Sequence, residues 1–333
     1  MGIKLGDLVD KKDVKWNSLE GKKLAIDASN VLYQFVSSIR QQDGTPLMDN
    51  NGDVTSHLVG LFSRVPNLMQ KGIKPVFVFD GKPPELKSLT HKKRREAKEK
   101  AKEKYLGAAA QEDEALMGFY SKQMSVMKQE MFDEAKELLE AMGLPTVQAP
   151  SEAEAQCSYM CKKKKVYAVG SQDYDCLLFG SPRLIQNLTL SQKRKISGGR
   201  YVLIAPYMIE LKEVLDKLEM NQDELILLGI LVGTDYNPGG VKGIGPKKAL
   251  KLIQSGRKPE NIFGELECEF DWKQIFDTFK NIPVKDVDLK FGELDEDRIK
   301  EILVDRHDFS SERVENVLVK LRKKEKESLK KWF

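Results

Sequence analysis

Short apolar runs alternate with stretches of helical periodicity from the start of this chain. The run Leu24–Asp27 predicts a first strand, with Ser29 as the N-cap of a helix over SNVLYQFVSSIRQ. DGTPLMDNNGDVT (43–55) is dense in turn residues and predicts an exposed loop or small ribbon. SHLVGLFSRVPNLMQKG predicts a second helix, kinked or shortened at Pro66, which lacks an N–H. Lys74–Asp80 predicts the next strand, and strand–helix–strand is the rhythm of a mostly parallel sheet.

After Gly81 the pattern breaks at Pro83-Pro84, and 85–135 shows no strand signal. LKSLTHKKRREAKEKAKEKY is rich in helix formers and poor in apolar residues. A helix that is polar on nearly all sides faces solvent or a ligand; Glu–Lys pairs account equally well for a merely solvated one. From 132 the α/β rhythm resumes with the helix FDEAKELLEAMG capped by Gly143, LPTVQAP, the helix SEAEAQCSYMCKK and the strand VYAVGSQ. LLFGSPRLIQNL and GGRYVLIAP predict further strands. Residues 222–255 read as two helices around a glycine-rich hairpin, 260–322 as a mixed, helix-rich region, and 321–333 as a basic run. The expected fold class is α/β, a mostly parallel central sheet flanked by helices.

With 333 residues, 41% hydrophobic and 32% charged, the chain can build a large core and is not disordered in composition. No apolar stretch approaches the ~20 residues of a membrane span. MGIKLGDLVD is too polar for a signal peptide, and Gly6 stands where a myristoylation site wants Ser or Thr. An intracellular location is expected. Cys157, Cys161, Cys176 and Cys268 form no CxxC pair and are expected as small hydrophobes rather than a disulfide or zinc site. The net charge of +4 does not itself identify a nucleic-acid binder; the distribution of charge is more informative.

Seven acidic residues sit at or just beyond the ends of apolar runs: Asp27, Asp80, Glu152, Glu154, Asp173, Asp175 and Asp235. In open α/β sheets ligands bind beyond the carboxyl ends of the strands. Carboxylates gathered there without histidine suit hard divalent cations, and two such ions ~4 Å apart can activate water and stabilise a leaving oxygen. A single strand-end Asp is ordinarily a cap or turn residue. Asp173 and Asp175, two apart, share a face if the strand exit is extended. Glu152 and Glu154 can serve one site only through an irregular helix entry, for which Pro150 and Ser151 are suited.

Lys87 and Arg94 are seven apart and would share a face of the charged helix, beside the Asp80 loop, where they could grip a phosphodiester. Lys92, Lys93, Arg95 and Lys98 extend that positive surface. In GTDYNPGGVKGIGPKKALKLI (233–253), glycines for positive φ precede a helix entered through Pro246. Such a hairpin holds phosphate through backbone N–H groups without reading bases, although a plain helix–turn–helix connector has the same outline. At the tail, Leu329, Trp332 and Phe333 form an apolar plug within KESLKKWF, suited to anchoring a partner or simply to fraying.

LAIDASNVLYQF, TSHLVGLFSR, KPVFVFDGKPPELK, APSEAEAQ, SQDYDCLLFG and LLGILVGTDYNPGGVKGIGPKKA together resemble the flap endonuclease family, structure-specific 5′ nucleases of DNA replication and repair, in its archaeal form. The resemblance implies two Mg²⁺ ions, with Mn²⁺ as substitute: Asp27, Asp80, Glu152 and Glu154 around the first, Asp173, Asp175 and Asp235 around the second. It implies Lys87 and Arg94 as a catalytic basic pair acting with Asp175, and Tyr33 stacking on a nucleotide near the cut. Arg40 and Arg64 match DNA contacts, and Thr55 lies in a segment that accepts a one-nucleotide 3′ flap. Gly233, Gly243, Gly245, Lys247 and Lys248 belong to a helix-hairpin-helix gripping duplex with a K⁺ ion.

The implied organisation is an N-terminal nuclease region (1–98), a helical arch admitting the 5′ strand (84–132) and an internal nuclease region (116–258) that includes the helix-hairpin-helix. A C-terminal helical region (259–322) and a sliding-clamp tail (325–333) follow. Gly2 would lie near the active site as the processed N-terminus. In the tail Lys326 replaces the usual Gln, and Lys can only donate where an amide also accepts. A monomer acting on 5′-flap, nicked or double-flap DNA follows, cytoplasmic in an archaeal-type protein and nuclear in a eukaryotic one. A related 5′→3′ exonuclease, a bubble-cutting repair nuclease and a non-catalytic junction-binding scaffold are the alternatives.

Overall fold

The computed structural model describes residues 3, 5–41, 43–110, 113–124, 126–189, 193–195, 201–266 and 268–330. In chain order the strands are β1 (Lys12–Asp13), β2 (Lys23–Asp27), β3 (Lys74–Phe79), β4 (Thr146–Gln148), β5 (Ala168–Gly170), β6 (Arg183–Gln186), β7 (Lys193–Lys195), β8 (Tyr201–Leu203) and β9 (Tyr207–Glu210). Seven of them form one sheet in the order β1-β9-β6-β5-β2-β3-β4, and β7 and β8 pair in a separate ribbon. The five strands from β6 to β4 run parallel; β9 and β1 add an antiparallel edge. The sheet is thus mostly parallel, as the alternation predicts.

Side chains of the central strands point alternately to two cores, which is why β2 and β3 read as continuous apolar runs. Leu24, Ile26, Phe77 and Phe79 enter one core, while Ala25, Val76 and Val78 enter the other. The first core is covered by α1 (Ala28–Ser38), α2 (Ser56–Gln70) and, beyond the arch, α5 (Gln129–Ala141). Two further helices, the strongly polar α3 (Ser88–Ala110) and the more apolar α4 (Glu114–Gln123), pack on each other away from the sheet. The second core is covered by α6 (Ala153–Lys162), the short α7 (Asp175–Leu178), α8 (Leu211–Leu218) and α9 (Gln222–Val232). The helices α10 (Pro246–Gln254), α11 (Pro259–Glu265) and α12 (Trp272–Asn281) complete that side. Finally α13 (Glu296–Lys300) and α14 (Ser311–Lys330) return to the first core through Ile299, Val314 and Leu318.

Local expectations fail in three places. Asp27, rather than Ser29, caps α1, its carboxylate accepting from the Asn30 N–H at 3.0 Å. α2 runs uninterrupted through Pro66: Val65, Pro66 and Leu68 are buried, and each apolar side chain contributes about 1.5–3 kcal/mol against the lost turn. LLFG is helical and turn structure rather than strand, because Cys176, Leu177 and Leu178 are all buried, where an exposed-face alternation would not serve. Residues 43–55 do form a small ribbon, with bridges Arg40–Pro46 and Met48–Val54. Cys157, Cys161 and Cys176 are free and buried, and Cys268 is free and half-buried. No helix among the described residues is long and apolar enough to cross a membrane.

The contact between α1 and α2 depends on Gly60, where an added Cβ would lie 2.2 Å from Cγ of Phe35. Gly107 on α3 faces open space. Gly60→Ala is therefore expected to destabilise by about 1–3 kcal/mol through overpacking. Gly107→Ala should be neutral or stabilise by up to about 1 kcal/mol through helix propensity. Urea unfolding of the two variants checks this pair; equal effects would contradict the packing account.

Candidate metal centre and nucleic-acid interface

Parallel register brings the strand ends together. Asp27 ends β2 opposite Val78 of β3, and Asp80 follows the end of β3. The Asp80 carboxylate accepts from the Ala153 N–H at 2.8 Å, which docks the start of α6 against the β3 exit. Glu152 is the extended N-cap of α6 (φ −87°, ψ 137°) and Glu154 lies in its first turn, so the irregular entry required for both glutamates is present. Asp173 lies in the turn after β5 and Asp175 opens α7; the exit is a helical turn, not extended backbone. The Asp175 N–H donates to Asp173 at 3.3 Å, and the Ile3 N–H donates to the Asp175 carboxylate at 3.0 Å. Residue 3 therefore sits at the acidic cluster, whereas Gly2 lies outside the described residues.

Carboxylate oxygens of Glu154, Asp173 and Asp175 lie within 4.8 Å of one another. Lys87 joins the other half: its Nζ is 2.5 Å from Glu152 Oε1 and 3.5 Å from Asp235 Oδ2. Asp235 follows α9 and Gly233, where φ is +111° and an added Cβ would lie 2.5 Å from the Gly240 nitrogen. Only glycine fits that crossing, and it aims Asp235 toward the strand ends.

The electrostatics of the cluster follow from burial and like charge. Asp27 is pushed up to about 8 by burial and by the neighbouring Asp80, with Asp173 adding to the shift against the Asn30 N–H and Lys87. Burial, then Asp173, hold Glu154 and Asp175 well above the usual carboxylate range. Lys87 is held above its ordinary value, because Glu152, Glu154 and Asp235 outweigh the effect of its burial. One lysine does not neutralise seven carboxylates. Oxygen donors in this number, with no histidine among them, fit hard divalent cations.

Three contacting residues have only a faint signal in the sequence. The Tyr236 hydroxyl donates to Glu152 Oε2 at 2.7 Å, and its own proton is held more tightly by burial and by Glu152. Thr90 of α3 donates to the Asp235 carbonyl, tying the arch to the cluster. Asn237 accepts from the Thr234 N–H at 3.1 Å and donates to the Ile230 carbonyl at 2.7 Å, fixing the turn that carries Asp235. Their adjacency to Asp235 or to Lys87 is the only hint that sequence offers.

Beside the cluster, a cleft of about 450 Å³ is lined by Tyr33, Asp80, Lys87, Phe132, Lys136 and Glu152. Tyr33 is 41% exposed, so its ring is available to a ligand, with Lys98 Nζ 5.6 Å from the centroid. None of Arg40, Thr55 and Arg64 lines that cleft. Arg40 donates to the Gly44 carbonyl at 2.7 Å, and Thr55 is buried at the entry to α2, both framing the 43–55 ribbon. Arg64 is half-buried on α2. Lys87 ends the 3₁₀ turn Glu85–Lys87, which runs directly into α3, the helix that carries Arg94. The side chains of Arg94 and Leu329, and all of Trp332 and Phe333, lie outside the described residues.

In the hairpin, Gly243 adopts φ +78° and its carbonyl accepts from Lys248 Nζ at 3.1 Å. Gly245 is the N-cap of α10 and Pro246 its first residue, with Lys247 and Lys248 exposed. The helix N-terminus and two lysines form an open, positive end.

The XPG N-terminal domain matches residues 1–101 and the XPG I-region matches residues 143–235. Flap endonuclease 1 of Thermococcus onnurineus is 49% identical over 100% of this chain and 99% of its own length. Flap endonuclease 1 of Pyrococcus abyssi is 50% identical, covering 100% and 98%. The solved flap endonuclease-1 of Methanococcus jannaschii superposes with a TM-score of 0.77 at 40% identity, over 97% of this chain and 98% of that one. With its whole length matched at about half identity by flap endonucleases and its fold superposing on a solved member, this chain belongs to the flap endonuclease family.

Proposed function

We propose that this chain is a structure-specific nuclease that removes 5′ flaps in DNA replication and repair, hydrolysing a phosphodiester to leave a 3′ hydroxyl and a 5′ phosphate. The observation that carries the reading is the acidic cluster with Lys87 inside it, at the end of a cleft bordered by an exposed tyrosine.

The seven carboxylates would hold two Mg²⁺ ions, with Mn²⁺ as substitute: Asp27, Asp80, Glu152 and Glu154 on one side, Asp173, Asp175 and Asp235 on the other. Glu154, assigned to the first group, lies within 4.8 Å of Asp173 and Asp175 of the second, with Asp27 acting on it more weakly. When bound, such ions supply an activated water and charge neutralisation on the phosphate. The chain's own residues position the substrate. Lys87, anchored by Glu152 and Asp235, meets the scissile phosphate, with Arg94 as its partner on the arch. Tyr33 stacks on the nucleotide at the cut. Gly243, Gly245, Lys247 and Lys248, with K⁺ and with Gly233 fixing the turn, grip duplex backbone without reading sequence. Arg40 and Arg64 contact the opposite arm, and Thr55, buried at the entry to α2, shapes the segment that accepts a one-nucleotide 3′ flap.

The same reading divides the chain into the nuclease regions 1–98 and 116–258, the arch 84–132 that admits the 5′ strand, the C-terminal helices 259–322 and the tail 325–333. That tail, through Leu329, Trp332 and Phe333, docks on a sliding clamp. The enzyme acts as a monomer in the compartment that holds the DNA.

Asp175→Ala is expected to lower single-turnover flap cleavage by more than about 10³-fold, about 4 kcal/mol in the barrier, while flap binding in EDTA is retained. Lost binding by a folded variant would contradict the role. Truncation before Leu329 should abolish stimulation by a sliding clamp and leave basal cleavage unchanged; undiminished stimulation would place the clamp contact elsewhere.

The ion-free fold keeps Asp27 protonated up to about pH 8, whereas the unfolded chain ionises it near 3.8. Between those values the folded state binds the extra proton, so this group makes stability fall as pH rises. Divalent cations bind the ionised form and offset that loss. The Tm gain from Mg²⁺ over EDTA is therefore expected to be larger at pH 8 than at pH 6, a difference that Asp27→Asn lessens, Glu154 and Asp175 supplying the remainder. A gain independent of pH would contradict the coupling.

A further inference from the structure

The acidic cleft occupies one edge of the sheet. Because β2, β3, β5 and β6 run parallel, their amino ends converge on the opposite edge, and that edge is basic. Lys22 and Lys23 lead into β2, Lys74 opens β3 and Arg183 opens β6. The connection into β5 carries four consecutive lysines, 162–165. Lys22, Lys74, Lys163 and Lys164 are exposed, and none forms an ion pair among the described residues.

Aromatic rings take the place of carboxylates beside several of these cations. Lys22 Nζ and the Arg183 guanidinium lie 5.2 and 4.6 Å from the Tyr167 ring centroid. Lys71 Nζ lies 4.5 Å from the Trp16 ring, and Lys23 Nζ 6.0 Å from that of Phe291. A ring holds a cation in place without cancelling its charge, so Lys22, Lys23 and Lys71 stay available to an external anion, whereas Arg183 is also paired with Glu210. The neighbouring carboxylates are Glu20 in the turn before β2, Asp286 and Asp288, each 3.7 Å from Lys165, and Glu210, 3.4 Å from Arg183. Glu140 stands beside the start of β4, and among the described residues none of these carboxylates forms an ion pair with Lys22, Lys74, Lys163 or Lys164.

Adjacent strands are ~4.8 Å apart, so the four strand starts from β6 to β3 span roughly 14 Å. A nucleic-acid strand crosses that distance in about four steps of 3.4 Å. Lysines, as point charges, contact phosphate without selecting bases, and the exposed Phe291 ring offers a stacking face. We propose that this amino-terminal edge is a second, sequence-independent nucleic-acid-binding surface, holding a DNA segment other than the one at the acidic cleft. Such a surface keeps the protein on DNA between junctions, since non-specific contacts permit sliding and hopping.

The test is capture of a second DNA by the full-length protein. In EDTA, protein saturated with unlabelled flap junction is titrated against a fluorescent blunt duplex, and anisotropy is followed across a salt series. The wild type is expected to capture the duplex. The variant Lys22→Gln/Lys74→Gln/Lys163→Gln/Lys164→Gln should bind it at least about tenfold more weakly, with a log–log salt slope shallower by about 3. Its flap cleavage at saturating enzyme should be unchanged, which shows that the fold is intact. No capture by the preloaded wild type, or equal capture by the variant, overturns the proposal. Binding of polyglutamate in place of duplex assigns the edge to an acidic protein and overturns it as well. Because capture is read as binding, a wild type that failed to cut flaps would refute the nuclease reading and leave this result standing.

Discussion

Parallel strands that stop at one edge force their terminal carboxylates into a small volume, and the surrounding structure answers that repulsion. Two like charges 4.8 Å apart repel by about 3.5 kcal/mol at an effective dielectric of 20, and several such pairs coexist here. Backbone N–H groups of Asn30, Ala153 and Ile3 each donate to a carboxylate of the cluster. The amino ends of α1 and α6 point their positive dipole ends at it. Lys87 supplies the cationic side chain that reaches both Glu152 and Asp235. These partners lessen the penalty without removing it: burial first, and then the neighbouring carboxylates, hold the proton affinities of Asp27, Glu154 and Asp175 above the ordinary range. The fold therefore stores an unmet demand for positive charge, which divalent cations and the chemistry of phosphate transfer satisfy together.

That demand also explains the division of labour along the chain. The rigid sheet fixes the carboxylates, while the elements proposed to hold DNA lie outside it: the paired helices α3 and α4, the ribbon at 43–55 and the hairpin before α10. Thr90 links the first of these to the cluster through the carbonyl of Asp235, so the position of the arch and the geometry of one carboxylate are mechanically joined. Tyr236 does the same from within the second core, holding Glu152 on the side away from Lys87.

The parts legible in the sequence were those governed by local pattern. Alternating apolar runs placed β2, β3 and β5; Pro246 marked the start of α10; Pro150 and Ser151 announced the extended entry that lets Glu152 and Glu154 face one site. Tertiary packing overrode local rules elsewhere. Burial of Val65 and Leu68 carried α2 past Pro66, and burial of Leu177 and Leu178 turned a strand-like segment into α7. Short pairings such as β1 with β9 left no pattern to read, because two residues hold no periodicity. Tyr236 and Thr90 escaped for another reason: a hydroxyl in a helix or turn is ordinary until the fold shows what it touches.

The claim on which the account rests is that the gathered carboxylates hold a pair of divalent cations. Anomalous diffraction from crystals grown with Mn²⁺ measures this directly. Two peaks ~4 Å apart are expected, one against Asp80 and Glu152 and the other against Asp173 and Asp235, with Glu154 reaching toward both. A fully ordered cluster that binds no Mn²⁺ at millimolar concentration would contradict it.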